Sequence, residues 1–236
     1  MKILMIFAME EEAKKTVEHF EFEHTEASTK LSYCLYKKEI HGHEVYLSSL
    51  GIDKRFNVNS VGTIPAALTT FDLLKSHDFD LVINPGTAGG FKCRGGEIGD
   101  IYLPTKVLFH HRKIPMGPYE PYGLGSFTPF EINSLKENLK FKEGVFSTSD
   151  SLTCRDDELK FFNHHDVVVK EMEAGAVSYV CEKFSIPYLG VKSITDIVDG
   201  SRVTAEEFLE NLEKASQNLQ EFLKKLLDYF LGQKRE

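Results

Sequence analysis

The sequence predicts an α/β fold: a single-domain, three-layer sandwich with helices on both faces of a central mixed β-sheet. Three observations carry this expectation. Short continuous apolar runs such as KILMIFA, FDLVIN and IPYLGVKSIT have the length of strands buried on both faces. Between them lie stretches with helical spacing of apolar residues, the alternation expected of an α/β sandwich. One tight turn at His41-Gly42 joins two strand-like segments directly, which requires an antiparallel pair and so a mixed sheet. With 236 residues and 42% hydrophobic content the chain can bury one good core, and no linker, repeat or low-complexity tract divides residues 1–236.

The elements follow in order. Lys2 to Ala8 reads as a buried strand and Glu10 to about Phe20 as a helix. Leu31 to Ile40 and Val45 to Leu50 form the antiparallel pair. From about Asn59 to Lys75, Ala66, Ala67, Thr70, Phe71 and Leu74 recur at helical spacing, with Pro65 in the first turn or at a kink. Phe79 to Asn84 is a strand that runs into the glycine-rich segment Pro85 to Gly90, and Gly99 to His110 is the next strand. Residues His111 to Phe130 are rich in proline, glycine and tyrosine and read as a long loop, or one holding only short helical pieces, whose length points to a substrate lid or a subunit contact. A short helix near Glu131 to Asn138, strands at Gly144 to Ser149 and Val167 to Val169, and a helix from Glu171 to Lys183 come next. Ile186 to Thr195 is a strand ending at Asp196. Thr204 to about Tyr229 is an amphipathic helix opened by a Thr204–Glu207 capping box. The predicted order is β-α-β-β-α-β-β-loop-α-β-β-α-β-α.

Composition narrows the function. The 36 acidic and 28 basic residues give a formal net charge of -8, the opposite of the basic footprint of a nucleic-acid binder. No apolar run is long enough to span a bilayer, and the first strand-like segment starts at Lys2, so no membrane anchor or targeting peptide is expected. The four cysteines form neither a CxxC nor a disulfide-scaffold pattern, and the nine histidines lie in no zinc-ligand spacing. The expectation is a cytoplasmic protein without a metal, acting on a small molecule.

Ligands of α/β sheets collect at the carboxyl ends of strands, and four such ends carry polar or glycine-rich groups. Glu10, Glu11 and Glu12 open a helix, where they either compensate the helix dipole or supply one inward-turned general base. The Gly86-Thr87-Ala88-Gly89-Gly90 segment allows close backbone approach to a ligand, or makes a tight crossover; it is neither GxGxxG nor a P-loop. Glu171 and Glu173 are two residues apart and diverge, so one of them reaches a pocket, where a carboxylate can accept from two vicinal sugar hydroxyls. Asp196 directly follows an apolar strand; desolvation there raises its pKa and suits it to donate a proton, the alternative being a cap or turn.

Taken together, the motifs AMEEE, SVGTIPAALTTF, NPGTAGGFKCRGGEIGDIYL, FHHRKIP, KEMEAGAVSYV, KSITDIVDG and SRVTAEEFLENL resemble those of the 5'-methylthioadenosine/S-adenosylhomocysteine nucleosidases of the nucleoside phosphorylase superfamily, the plant-type enzymes above all. The resemblance covers nearly the whole chain and implies a nucleoside phosphorylase-like sandwich that cleaves an N-glycosidic bond without a cofactor. It assigns Glu12 as the base that activates water, Asp196 as the acid at adenine N7, and Glu173 as the ligand of the ribose hydroxyls. Met172 lies against the ribose, Thr87 stands near the acid, and Leu152 and Thr153 border the purine. Lys192 anchors Glu173 or Glu12, and Met9 and Phe208 flank the 5'-substituent. Ile114 and Pro115, in the 111–130 loop, are expected near the pocket of the partner in a homodimer. The rival activity is that of a phosphate-dependent phosphorylase, for which Lys54 and Arg55 are the nearest cations to the N-terminal motif.

Overall fold

The first apolar run forms β1 (Lys2–Phe7), with other strands on both edges and Ile3 to Phe7 buried. The structure, a computed structural model, describes residues 1–26 and 29–232; residues 27–28 and 233–236 of the predicted domain lie outside the described part. After β1 the chain forms α1 (Glu10–Phe20), β2 (Glu23–Thr25), β3 (Cys34–Ile40), β4 (His43–Ser49), β5 (Ile52–Asp53), β6 (Val58–Asn59) and α2 (Thr63–Ser76). Then come β7 (Leu81–Gly90), β8 (Ile101–Phe109), α3 (Tyr119–Leu124), β9 (Lys142–Thr148), α4 (Asp156–His164), β10 (Val167–Glu171), α5 (Ala174–Phe184), β11 (Tyr188–Ile197) and α6 (Thr204–Gly232). None of these helices is long and apolar enough to cross a membrane.

Among the described residues, nine strands form one mixed sheet in the order β10-β9-β8-β11-β7-β1-β4-β3-β2. Strands β4, β1, β7 and β11 run parallel, β8 opposes β11, and β3 opposes β4 across the predicted turn. The far end of the sheet folds back: Val169 and Lys170 of β10 pair with Gly90 and Gly89 of β7, so that five strands close on themselves. Helices α2 and α5 pack on one face through Ala66, Leu73, Leu74, Ala174, Val177 and Val180. Helices α1 and α6 cover the other through Ala13, Leu219, Phe222, Leu223, Leu226 and Leu227. This is the predicted three-layer sandwich.

Several boundaries differ from expectation, each for a physical reason. The glycine-rich segment is not a turn after a strand; β7 continues through Pro85 to Gly90, paired with β11 along this stretch and with β10 at Gly89 and Gly90. Likewise β11 continues through Asp196 to Ile197. The helix expected from Glu171 begins at Ala174, because Glu171 completes β10 and turns its carboxylate onto the N–H groups of Glu173 (2.7 Å) and Ala174 (2.6 Å). The helix expected from Asn59 begins at Thr63 with Pro65 in its first turn, and its Phe71 faces outward rather than into the core. Helix α6 starts at Thr204, yet Glu207 does not fold back on it; its carboxylate accepts the Ile197 N–H at 2.9 Å. The 131–138 stretch contributes only a single 3-10 turn, Asn133–Leu135. Strands β2, β5 and β6 and helix α4 were not foreseen.

The register explains the glycines. Lys192 lies beside Gly86, while Lys170 and Asp196 lie on either side of Gly89. Adjacent-strand partners share a face of the sheet, so bare glycines leave room there for charged side chains. A Cβ at Gly89 would stand 2.8 Å from Asp196 Oδ2 and 2.7 Å from Val198 Cγ2. Gly89→Ala is therefore expected to cost roughly 1–3 kcal/mol in a urea melt, the usual penalty of overpacking; unaltered stability would contradict this packing.

Candidate active site

The closed end of the sheet holds a cavity of about 230 Å³. Its walls come from the end of β1 with the start of α1 (Ala8, Met9, Glu12), from β7 (Gly86 to Gly89), from β10 and the bend after it (Lys170 to Glu173), and from β11 and α6 (Lys192, Asp196, Phe208). Leu152 and Val61 contribute from loops. Nine of the twelve residues singled out in the sequence thus line one cavity: Glu12, Glu173, Asp196, Met9, Thr87, Leu152, Met172, Lys192 and Phe208. Thr153 is exposed on the adjoining loop and lies outside it. Ile114 and Pro115 line a different cavity, with His110, Phe161 and His165, away from the Glu12 pocket of their own chain.

Each carboxylate is positioned by its element. Glu12 stands in the first turn of α1, where its Oε1 accepts both the N–H (2.7 Å) and the Oγ1–H (2.6 Å) of Thr87. Its Oε2 faces the Met9 N–H at 3.4 Å. Burial raises its pKa, opposed by the Thr87 hydrogen bonds and by Lys192. Thr87, expected near the acid, is therefore the partner of the base candidate instead. Glu173 precedes α5 and reaches across to α2, where its Oε1 accepts the Gly62 N–H at 2.8 Å. Burial raises its pKa too; Lys192 counteracts this, while Glu171 and Glu12 add to it.

Asp196 lies at a β-bulge: the β11–β7 register runs in step to Ile194–Ala88 and then slips to Asp196–Gly89, leaving Thr195 unmatched. The Thr195 hydroxyl donates to Asp196 Oδ1 at 2.9 Å. Burial raises the Asp196 pKa, the Thr195 bond and Lys170 lower it, and Glu207 raises it further. Three carboxylates that favour their protonated forms more than free side chains do thus share one apolar-walled space.

Two residues of the site carried little signal in the sequence. Glu171 was one of two alternatives for the pocket, and it lines the wall, but its oxygens are saturated: besides the two α5 N–H groups it accepts the Thr148 hydroxyl. Lys192 pairs with Glu171 at 3.8 Å, not with Glu173 or Glu12 as expected. Lys170 is the other, a buried lysine whose Nζ donates to the carbonyls of Ser151 and of Leu152 (3.1 Å), fixing the loop that carries Leu152. Burial lowers its pKa, with Glu158, Cys154, Asp196 and Glu171 opposing. The only sequence cue was a charged residue inside the run VVVKE, where a strand buried on both sides should have none.

Known proteins resemble this chain over nearly its whole length. The profile of the phosphorylase superfamily matches residues 2–228. A 5'-methylthioadenosine/S-adenosylhomocysteine nucleosidase of Arabidopsis thaliana is 37% identical over 98% of this chain and 92% of its own length. A 5'-methylthioadenosine nucleosidase of the same plant is 35% identical over 98% and 87%. The apo structure of an Arabidopsis thaliana 5'-methylthioadenosine nucleosidase superposes with a TM-score of 0.96 at 35% identity, covering 98% of this chain and 96% of that one. From the matched profile and these full-length relatives, the chain belongs to the phosphorylase superfamily and, within it, to the family of the plant 5'-methylthioadenosine nucleosidases.

Proposed function

We propose that this protein hydrolyses the N-glycosidic bond of 5'-methylthioadenosine to adenine and 5-methylthioribose, and that S-adenosylhomocysteine is a further substrate to be tested. The observation that carries the reading is the convergence of Glu12, Glu173 and Asp196 on one cavity, each held by hydrogen bonds and each with a pKa raised by burial. The similarity to nucleosidases over nearly the whole chain supports it.

The chemistry assigns one task to each group. Asp196, protonated, donates its proton to adenine N7 as the C1'–N9 bond breaks and its electron pair passes to the base. Positive charge develops on the ribose, and the Glu173 carboxylate, accepting from the sugar hydroxyls, stabilises it. Glu12 takes a proton from water as the water oxygen bonds to C1'. Met172 and Phe208 supply apolar wall for the ribose and 5'-substituent, and Leu152 with the carbonyl-anchored 151–152 segment borders the base.

Water is a better nucleophile here than phosphate. A phosphate dianion in this cavity would face Glu12, Glu171 and Glu173, and the two lysines of the wall are already engaged with protein partners. Lys54 and Arg55, the two cations considered for phosphate, both lie on the exposed β5–β6 turn, and Arg55 pairs with Asp53 at 3.2 Å.

The reading includes a homodimer. Helix α2 presents Ile64, Leu68 and Phe71 outward at i, i+4 and i+7, with 72%, 49% and 49% of their surfaces exposed. Met116, Tyr119 and Tyr122 of the 111–130 loop are exposed as well. Two copies joined over these apolar faces would bring Ile114 and Pro115 toward the partner's cavity, the place the family resemblance gives them.

Three outcomes are expected. Adenine release from 5'-methylthioadenosine in phosphate-free buffer should be rapid and unaltered by added phosphate, and D196N and E12Q should each lose at least about a hundredfold in kcat; release only with phosphate, or near-normal turnover of D196N, would overturn the reading. E173Q keeps an acceptor for the Gly62 N–H but removes a buried charge. Because the folded-state pKa of Glu173 lies above its ordinary 4.5, ionising it costs stability as pH rises past that value. E173Q should therefore melt several degrees above wild type at about pH 8 and together with it in acid, and a lower melting temperature at pH 8 would refute the burial argument. Finally, the double variant Ile64→Glu/Leu68→Glu should sediment as a monomer with a raised KM; an unchanged dimer would remove this face from the interface.

A further inference from the structure

The strand that carries Asp196 has lost its neighbour on one side. Strand β8 pairs with β11 only at Tyr102–Lys192 and Ile101–Ser193, and the ladder ends with the Ile194 N–H on the Asp100 carbonyl (3.0 Å) and the Gly99 N–H on the Ile194 carbonyl (2.8 Å). Beyond that point, residues 195–197 keep β7 on one edge, with a bulge, and among the described residues no strand on the other. Exposed ladder groups at a buried edge need partners, and α6 provides them. The Asn211 side-chain amide donates to the Thr195 carbonyl at 3.1 Å, and the Glu207 carboxylate accepts the Ile197 N–H at 2.9 Å. The same Asn211 amide also donates to the Glu207 carbonyl at 2.9 Å, tying the two together. One residue on each side of Asp196 is thus gripped by one face of one helix, and the next residue of that helix, Phe208, lines the cavity.

We propose that Glu207 and Asn211 are positioning residues for Asp196: they stand in for the missing strand and fix where its carboxyl meets the substrate. The inference rests on the reading of Asp196 as the general acid. It assigns Glu207 a second effect, since a buried carboxylate bonded to the residue after Asp196 acts by its charge to favour the protonated form that an acid needs. The groups around Asp196 are Thr195 on its own strand, Lys170 on β10 and Glu207 on α6. Glu12, Glu171, Glu173 and Lys192 share the cavity wall. Of these, Glu207 is the one that combines a backbone bond beside the acid with a charge that raises its pKa.

The test is the pH dependence of adenine release from 5'-methylthioadenosine by wild type, E207Q, E207A, N211A and the control E210Q, with melting temperatures measured in parallel. Glu210 is exposed on α6, where it pairs with Arg202, so E210Q removes the same charge one turn position away. E207Q retains an acceptor for the Ile197 N–H and loses the charge, so the alkaline limb of kcat/KM should move down by about 0.5–1 pH unit. N211A should lose about tenfold in kcat with KM changed less than about twofold. E207A should show both effects, and E210Q should coincide with wild type. E207Q and N211A profiles that superimpose on wild type, or losses that follow the fraction unfolded, would overturn the proposal. An active wild type that D196N does not impair would instead overturn the acid assignment on which it rests.

Discussion

The arrangement of the cavity depends on one buried cation. Lys192 is 1% exposed, beside three glutamates that the fold brings to the same place: Glu12 from α1, Glu171 from β10 and Glu173 from the bend before α5. Carboxylates removed from water without a counter-charge cost several kcal/mol each. Lys192 pairs with Glu171 and draws both Glu12 and Glu173 toward their ionised forms. To do so its ammonium lies over Gly86, where a Cβ would stand 3.1 Å from Nζ and 3.5 Å from Glu12 Oε2. Glycine in the middle of a strand weakens it, and here the loss is offset by the ladder to β11 and by the electrostatics that the gap permits.

Hydrogen-bond saturation separates the carboxylates by role. Glu171 accepts from two helix N–H groups and a hydroxyl and pairs with Lys192, so it has little capacity left for a ligand. It is the foundation of α5 and of the cation. Glu173 receives one N–H from α2, Glu12 has its bonds concentrated on Oε1, and Asp196 receives one hydroxyl. Glu173 and Asp196, with one donor each, retain the most acceptor capacity, and all three resist ionisation because burial outweighs their protein partners. An under-satisfied buried carboxylate is a stability cost that structural use alone would not explain.

Much of this was legible in the sequence because apolar runs and helical periods survive translation into structure directly: β1, β3, β4, α1 and α6 lie where periodicity put them. The 85–90 segment was less legible. Glycine and proline read as a turn, yet here they are strand, and the reason lies in Lys192 and Asp196, about a hundred residues away in sequence and adjacent only through sheet register. Helix α4 is amphipathic, with Asp156, Asp157 and Glu158 at its start and Phe162 buried against Phe91 at a centroid distance of 5.3 Å; short length and the paired histidines at its end hid it. The motif resemblance located nine lining residues, but it could not say that Thr87 serves Glu12, or that Lys192 serves Glu171. Those facts belong to rotamers and neighbours, which a motif does not encode.

An acid and a base of the same chemical type can work side by side only if their surroundings make them different. Both Glu12 and Asp196 are buried, so burial does not distinguish them. Their donors do. Glu12 has two donors from Thr87 on a single oxygen and the attraction of Lys192, all of which favour the carboxylate. Asp196 has one hydroxyl, and it stands between a lysine whose charged form is itself opposed by burial and a carboxylate on α6 that raises its pKa. Both carboxyls stand above their ordinary pKa, yet what opposes burial differs: two Thr87 donors and Lys192 at Glu12, one hydroxyl and Lys170 at Asp196. In the proposed reaction that contrast in partners is what would fit one group to take a proton from water and the other to deliver one to the purine.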